Sequence, residues 1–127
     1  MLLANPYLMA FATTAAIGIL CELTARIGKF WLYRKPIFPI LNIILMFGIV
    51  MGALSLLCQR SGLLPVFIIA TAIGYAYEKI NFSTLHWWDL PNDRFLVFKG
   101  KEACARSIAV LWGITPLISN AIQSAIL

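Results

Sequence analysis

The sequence predicts an all-α integral membrane protein, a four-helix transmembrane bundle with both termini outside the cytoplasm. Three observations predict it. The chain of 127 residues is 61% hydrophobic and only 12% charged, too apolar to supply the polar surface that a soluble domain of this size needs. It contains four apolar runs of the length that crosses a hydrocarbon core, about 20 residues each. Of its ten lysines and arginines, all but Arg60 lie at or in the first and third connections. Those two loops are therefore expected on the cytoplasmic side, with the N- and C-termini outside. The same distribution removes nucleic acid as a partner: the formal net charge of +5 comes from short loops between apolar runs. All five acids also fall in the cytoplasmic half, so polar chemistry is expected near the inner leaflet.

The four helices are expected over residues 7–26, 39–57, 65–80 and 102–127 of a single domain. Asn5 followed by Pro6 reads as a cap and first helical position. In the first helix Ala10, Thr14, Gly18, Glu22 and Arg26 recur every fourth residue, a small-residue stripe of the kind that close packing in lipid requires. The stripe turns Glu22 towards protein, with Arg26 one turn on in acid-before-base order. The 27–38 connection joins basic residues to Trp31 and Tyr33, which belong to an interfacial aromatic belt. Pro36 and Pro39 bracket the entry to helix two, where Gly48-x-x-x-Gly52 is the packing signal and the expected oligomer interface. The QRSGLLP stretch reads as a tight turn. Helix three, the shortest span, repeats the stripe as Ala70, Gly74 and Glu78. Residues 81–101 mix Trp87 and Trp88 with charges, as suits a segment in the headgroup layer or tucked among helix ends. Helix four carries Glu102 and Arg106 at i, i+4 and a further stripe ending in Gly113, and Pro116 is expected to kink it. Trp31, Trp87 and Trp88 are the expected interfacial anchors; Gly18, Gly48, Gly52, Gly74 and Gly113 are the expected helix-packing positions.

A repeat underlies this order. AIGILCE at 16–22 matches AIGYAYE at 72–78, and Trp31 then matches Trp87 at the same offset. Further on, FGI at 47–49 matches WGI at 112–114. Helices one and three run in the same sense, so the expectation is two parallel two-helix repeats about an axis along the membrane normal.

The chain also resembles small bacterial membrane proteins catalogued as ABC-transporter type IV permeases. The resemblance covers about residues 18–114 and rests on Glu22; Pro36 and Pro39; Glu78 and Lys79; Trp87, Trp88 and Asp89; Gly100; and Trp112 with Gly113. Two features depart from the family pattern: Lys35 stands where a Gly is usual, and Ile40, Leu41 and Asn42 replace an Ile-Tyr-Gly-like run. The resemblance implies a multi-pass subunit of the bacterial cytoplasmic membrane that works with a partner ATPase, since the chain has no ATP-binding motif of its own.

Glu22 and Glu78 are the residues on which function is expected to turn, because intramembrane carboxylates are costly to place. One reading neutralises each structurally, Glu22 with Arg26, and Glu78 with Lys79 or Arg106. The other brings them together, facing a cavity open to the cytoplasm, where they hold a cation, a headgroup amine or a proton. Arg106 and Asp89 complete the candidate polar site. His86 is alone and Cys21, Cys58 and Cys104 have no paired spacing, so neither metal nor cofactor nor disulfide framework is expected. MLLANPY lacks a basic n-region, so no signal peptide is expected. The function expected first is a transport or permeation subunit, self-associating or partnered, in contact with membrane lipids. The alternatives are an enzyme acting on lipid headgroups and a non-catalytic assembly or regulatory protein. No nucleophile elbow, HExxH or phosphate loop supports the enzyme.

Overall fold

The structure, a computed structural model, describes residues 5–126. It is a four-helix bundle, and each helix is long and apolar enough to cross a membrane: α1 (Pro6–Gly28), α2 (Ile37–Ser61), α3 (Leu63–Leu85) and α4 (Lys101–Ile126). Asn5 caps α1, its Oδ1 accepting from the Tyr7 and Leu8 amides at 2.9 and 3.2 Å. At the other end Lys29 turns left-handed (φ 53°), and the Phe30 amide closes the helix on the Ala25 carbonyl at 3.0 Å. Pro39 lies in the first turn of α2, where its missing N–H leaves nothing unpaired. A single residue, Gly62, separates α2 from α3 with φ 84°, a conformation that L side chains rarely adopt. Helix three is longer than the sequence suggests, 23 residues, because it continues past Ile80 through one π-helical turn, Asn81–Leu85.

The connections are structured. Strand β1 (Leu32–Tyr33) pairs antiparallel with β2 (Trp88–Asp89), Leu32 opposite Asp89 and Tyr33 opposite Trp88. Strands β3 (Arg94–Phe95) and β4 (Phe98–Lys99) make a small hairpin. The 81–101 segment is therefore tucked against the bundle: Trp88, Leu90 and Phe95 are buried. The buried side chain of Asn81 fixes its start, accepting from the Trp87 and Trp88 amides at 2.8 and 3.3 Å and donating to the Trp88 carbonyl at 3.0 Å.

Small residues bring the helices together, because the lipid-facing alternative offers large apolar side chains no penalty to escape. The buried positions of α1 include Ala10, Thr14, Gly18 and Glu22, and those of α3 include Val66, Ala70, Gly74 and Glu78. Gly18 seats the ring of Phe47 from α2, and Gly74 seats Trp112 from α4. Reciprocally, Gly48 seats Phe11, and Gly113 seats Phe67 and Thr71. Phe11 and Phe67 are separated by the same 56 residues as Glu22 and Glu78, so the two helical hairpins pack by equivalent contacts. The hairpins meet where Phe47 and Trp112 touch, ring centroids 4.5 Å apart. Beyond the glutamates the π-turn inserts one residue into the second copy, so the counterpart of Trp31 is Trp88 and not Trp87. Trp87 instead stacks on Phe38, with centroids at 5.0 Å and planes 7° apart.

One expectation is corrected here. Gly48 and Gly52 do not form an outer face for a second copy: both are buried against α1, Gly48 under Phe11 and Gly52 against Thr14. At the end of the bundle away from the charged connections Gln123 of α4 bonds Ser55 of α2 (3.2 Å) and Ser119 (2.9 Å), all three buried, a polar tie worth about 1 kcal/mol per bond in a membrane.

Candidate functional site

Glu22 and Glu78 line one cavity of about 170 Å³ in the half of the bundle that holds the two charged connections. Each closes its stripe at a point where a small residue four positions earlier lets another helix approach. Glu22 is 8% exposed and fully engaged. Its Oε1 accepts from the Tyr33 hydroxyl at 2.6 Å and from Asn42 Nδ2 at 2.7 Å, and its Oε2 accepts from the Trp31 indole at 3.1 Å. Asn42 Nδ2 also reaches the Tyr33 oxygen (3.0 Å), while Asn42 Oδ1 accepts from the Tyr77 hydroxyl at 2.8 Å. One connected set of hydrogen bonds thus joins α1, β1, α2 and α3. Asn42 opens the π-helical stretch of α2, Asn42–Met51, a geometry that recurs at functional sites.

Glu78 is different. It is 2% exposed; Oε1 accepts from the Trp112 indole at 3.2 Å, whereas Oε2 is buried and, among the described residues, makes no hydrogen bond of full geometry. Trp88 lies beside it, and Tyr77 packs on Trp88 and Trp112 with centroids at 5.1 and 5.8 Å. Burial, and then the nearby Glu22 carboxylate, push the Tyr33 phenol above its ordinary range, so it remains an O–H donor at physiological pH. The rest of the cavity wall is apolar, built by Ile17 and Cys21 of α1 and by Ile108, Leu111, Ile114, Thr115 and Ile118 of α4.

The other two residues of the expected polar site lie elsewhere. Arg106 points outward, 73% exposed, and bonds Glu102 at 3.1 Å. It does not compensate Glu78. Glu102 also receives Lys79 at 2.8 Å and the Tyr75 hydroxyl at 2.6 Å, so Lys79 too is drawn away. Arg26 is exposed, and among the described residues neither Glu22 nor Glu78 makes an ion pair. Asp89 forms a two-bond pair with Arg34 across β1 and β2, at 3.0 and 3.1 Å, and this guanidinium holds its carboxyl below the usual carboxylate range. His86 is exposed at the end of α3. Trp31 and Trp88 face the cavity.

Asn42, Tyr33, Tyr77 and Trp112 belong to the site although the sequence reading assigned them no part in it. A signal for Asn42 existed: it is the only strongly polar residue in the apolar run from Ile40 to Val50, and such residues in membrane helices commonly bond across helices. No family model, curated protein or solved structure matches the chain.

Proposed function

We propose that this multi-pass membrane protein is a transport or permeation subunit of the bacterial cytoplasmic membrane, with both termini outside, that handles a cationic species at Glu22 and Glu78. The observation that carries the reading is the pairing of these two carboxylates in one cavity that, among the described residues, no basic side chain enters. A buried acid without a base requires a proton or a bound cation to offset its lost hydration. Two such acids on equivalent helices, near the end of the bundle that carries most of the basic residues, form a relay point for a charge entering from the cytoplasm. Four helices enclose little volume, so the subunit is proposed to work as a homo-oligomer or with an ATPase partner, as the resemblance to ABC-transporter type IV permeases implies.

Inverted membrane vesicles from cells producing the chain, which retain any partner, provide the test. Under an imposed membrane potential, vesicles with the wild-type chain should take up protons, sodium or a small organic cation faster than vesicles without it. Glu22→Gln with Glu78→Gln should abolish the difference. Equal fluxes for the wild type, the double variant and control vesicles would remove the transport reading.

A further inference from the structure

Among the described residues Glu78 has one carboxylate oxygen that no well-aligned hydrogen bond satisfies. Among the described residues its buried Oε2 has only the Trp88 indole beside it and makes no hydrogen bond of full geometry, in a residue 2% exposed whose other oxygen is already bonded to Trp112. Stranding a carboxylate oxygen in this way is costly, so the site is shaped for a positively charged or proton-donating group from outside. The walls narrow the class. Among the described residues no Lys, Arg or His lines the cavity, whereas Trp31, Tyr33, Phe47, Trp88 and Trp112 do. Aromatic faces attract cations through the ring quadrupole, most effectively once desolvated, and cages of such rings with nearby carboxylates suit alkylated ammonium groups. A metal ion is poorly served. Hard cations take six or more oxygen ligands, both Glu22 oxygens are already bonded to Tyr33, Asn42 and Trp31, and among the described residues no group of three potential metal ligands assembles.

Size and shape agree. A cavity of about 170 Å³ is close to the roughly 150 Å³ that admits a benzene molecule, enough for a trimethylammonium head. Its far wall includes Leu111 and Ile118, which are 47% and 45% exposed on the outer surface of α4. The cavity therefore continues to the apolar flank of the bundle between α1 and α4, where an alkyl arm can lie.

We infer that the Glu22/Glu78 cavity binds a monovalent organic cation, a quaternary or alkylated ammonium, which enters between α1 and α4 and places its charge against Glu78 Oε2. This inference rests on the preceding reading of the cavity as the ligand site and names its ligand class.

The test uses the full chain in nanodiscs of phosphatidylethanolamine and phosphatidylglycerol, which carry no quaternary ammonium. Choline and its uncharged isostere 3,3-dimethyl-1-butanol are titrated while tryptophan fluorescence is followed. Choline should bind saturably, and the isostere about tenfold or more weakly. Glu78→Gln should weaken choline by a similar factor and bring the two ligands level. Equal binding of choline and isostere by the wild-type protein overturns the inference, and that comparison does not depend on whether the variant folds. Absence of saturable binding by both choline and hexyltrimethylammonium overturns it as well. The two readings fail separately. Glutamate-dependent proton or sodium flux without ammonium binding leaves the transport reading and removes this one. Ammonium binding without any flux does the reverse.

Discussion

Adding one methyl group at Gly18 or Gly74 is expected to spread the bundle at the level of the site. A Cβ on Gly18 would lie 2.6, 2.8 and 2.9 Å from Cγ, Cδ2 and Cβ of Phe47. Relief to an ordinary contact requires a shift of about 0.5–0.8 Å, a scale that close-packed interiors resist. Phe47 cannot swing clear, because it is 5% exposed and lies against Trp112 with centroids 4.5 Å apart. A Cβ on Gly74 would meet Cβ of Trp112 and come within 2.6 Å of Cγ and Cδ1, and Trp112 is held by its bond to Glu78. Overpacking of this kind costs about 1–3 kcal/mol, and contact with Cβ atoms, which move only with the backbone, places both sites towards the upper end. The higher helix propensity of Ala returns up to about 1 kcal/mol. Gly18→Ala and Gly74→Ala should thus each destabilise by about 2 kcal/mol. The double variant should not be additive, because both methyls press on the same Phe47–Trp112 contact. Reversible unfolding in mixed micelles titrated with dodecyl sulfate, followed by circular dichroism, measures this. Gly28→Ala is the control: the nearest neighbours of its Cβ are ring-end atoms of Phe30 at 2.9–3.1 Å, the far end of a side chain that can yield by a few tenths of an ångström, so the change should stay within about 0.5 kcal/mol. Wild-type stability in both Gly18→Ala and Gly74→Ala, or an equal loss in the control, would refute the packing argument.

Asn42→Leu removes a donor to Glu22 and an acceptor for Tyr77 and should cost about 1–3 kcal/mol in the same unfolding assay, because buried partners are left unpaired. Tyr33→Phe should cost less, since Glu22 keeps Asn42 and Trp31; a loss as large as that of Asn42→Leu would argue against the shared network. The Arg34–Asp89 pair lowers the folded-state pKa of Asp89, so its contribution is present above the unfolded value of about 3.9 and fades as pH falls through the lower folded value. With side chains 52% and 58% exposed, the effect should be small and vanish in 1 M salt; thermal scans of Asp89→Asn against the wild type at pH 7 and below pH 3 check this, and an effect that persists at low pH or high salt contradicts it. Single cysteines placed in 29–36 or 87–100 should react with impermeant maleimide only in inverted vesicles, and labelling in intact cells would reverse the proposed orientation.

Much of the bundle was legible because its signals are local. Apolar run length set the four helices, Asn5 and Pro6 announced the start of α1, and the four-residue stripes pointed Glu22 and Glu78 inward. Non-local contacts were not legible. The i, i+4 spacing offers Arg26 to Glu22 and Arg106 to Glu102 equally, yet only Glu102 pairs in this way. Glu22 lies on the buried stripe and finds uncharged donors from β1 and α2, while Arg26, one turn further on, is exposed. The tandem Trp87-Trp88 likewise hides its roles. Successive residues of extended chain face opposite ways, and the extra residue of the π-turn, which no residue pattern announces, determines that Trp88 is the one beside Glu78. Two-residue strands such as β1 and β2 are too short to leave a period in the sequence at all.

The central claim, that the cavity joining Glu22 and Glu78 holds a cation, is tested most directly by locating one there. Crystals or single-crystal soaks with (2-bromoethyl)trimethylammonium allow the bromine to be placed by anomalous scattering. The account predicts a bromine peak inside the cavity lined by Trp88, Trp112 and the α1–α4 wall, with the ammonium density against Glu78 Oε2, and loss of the peak in Glu78→Gln. A cavity filled by a lipid chain alone, or a bromine peak confined to the outer surface, would contradict it.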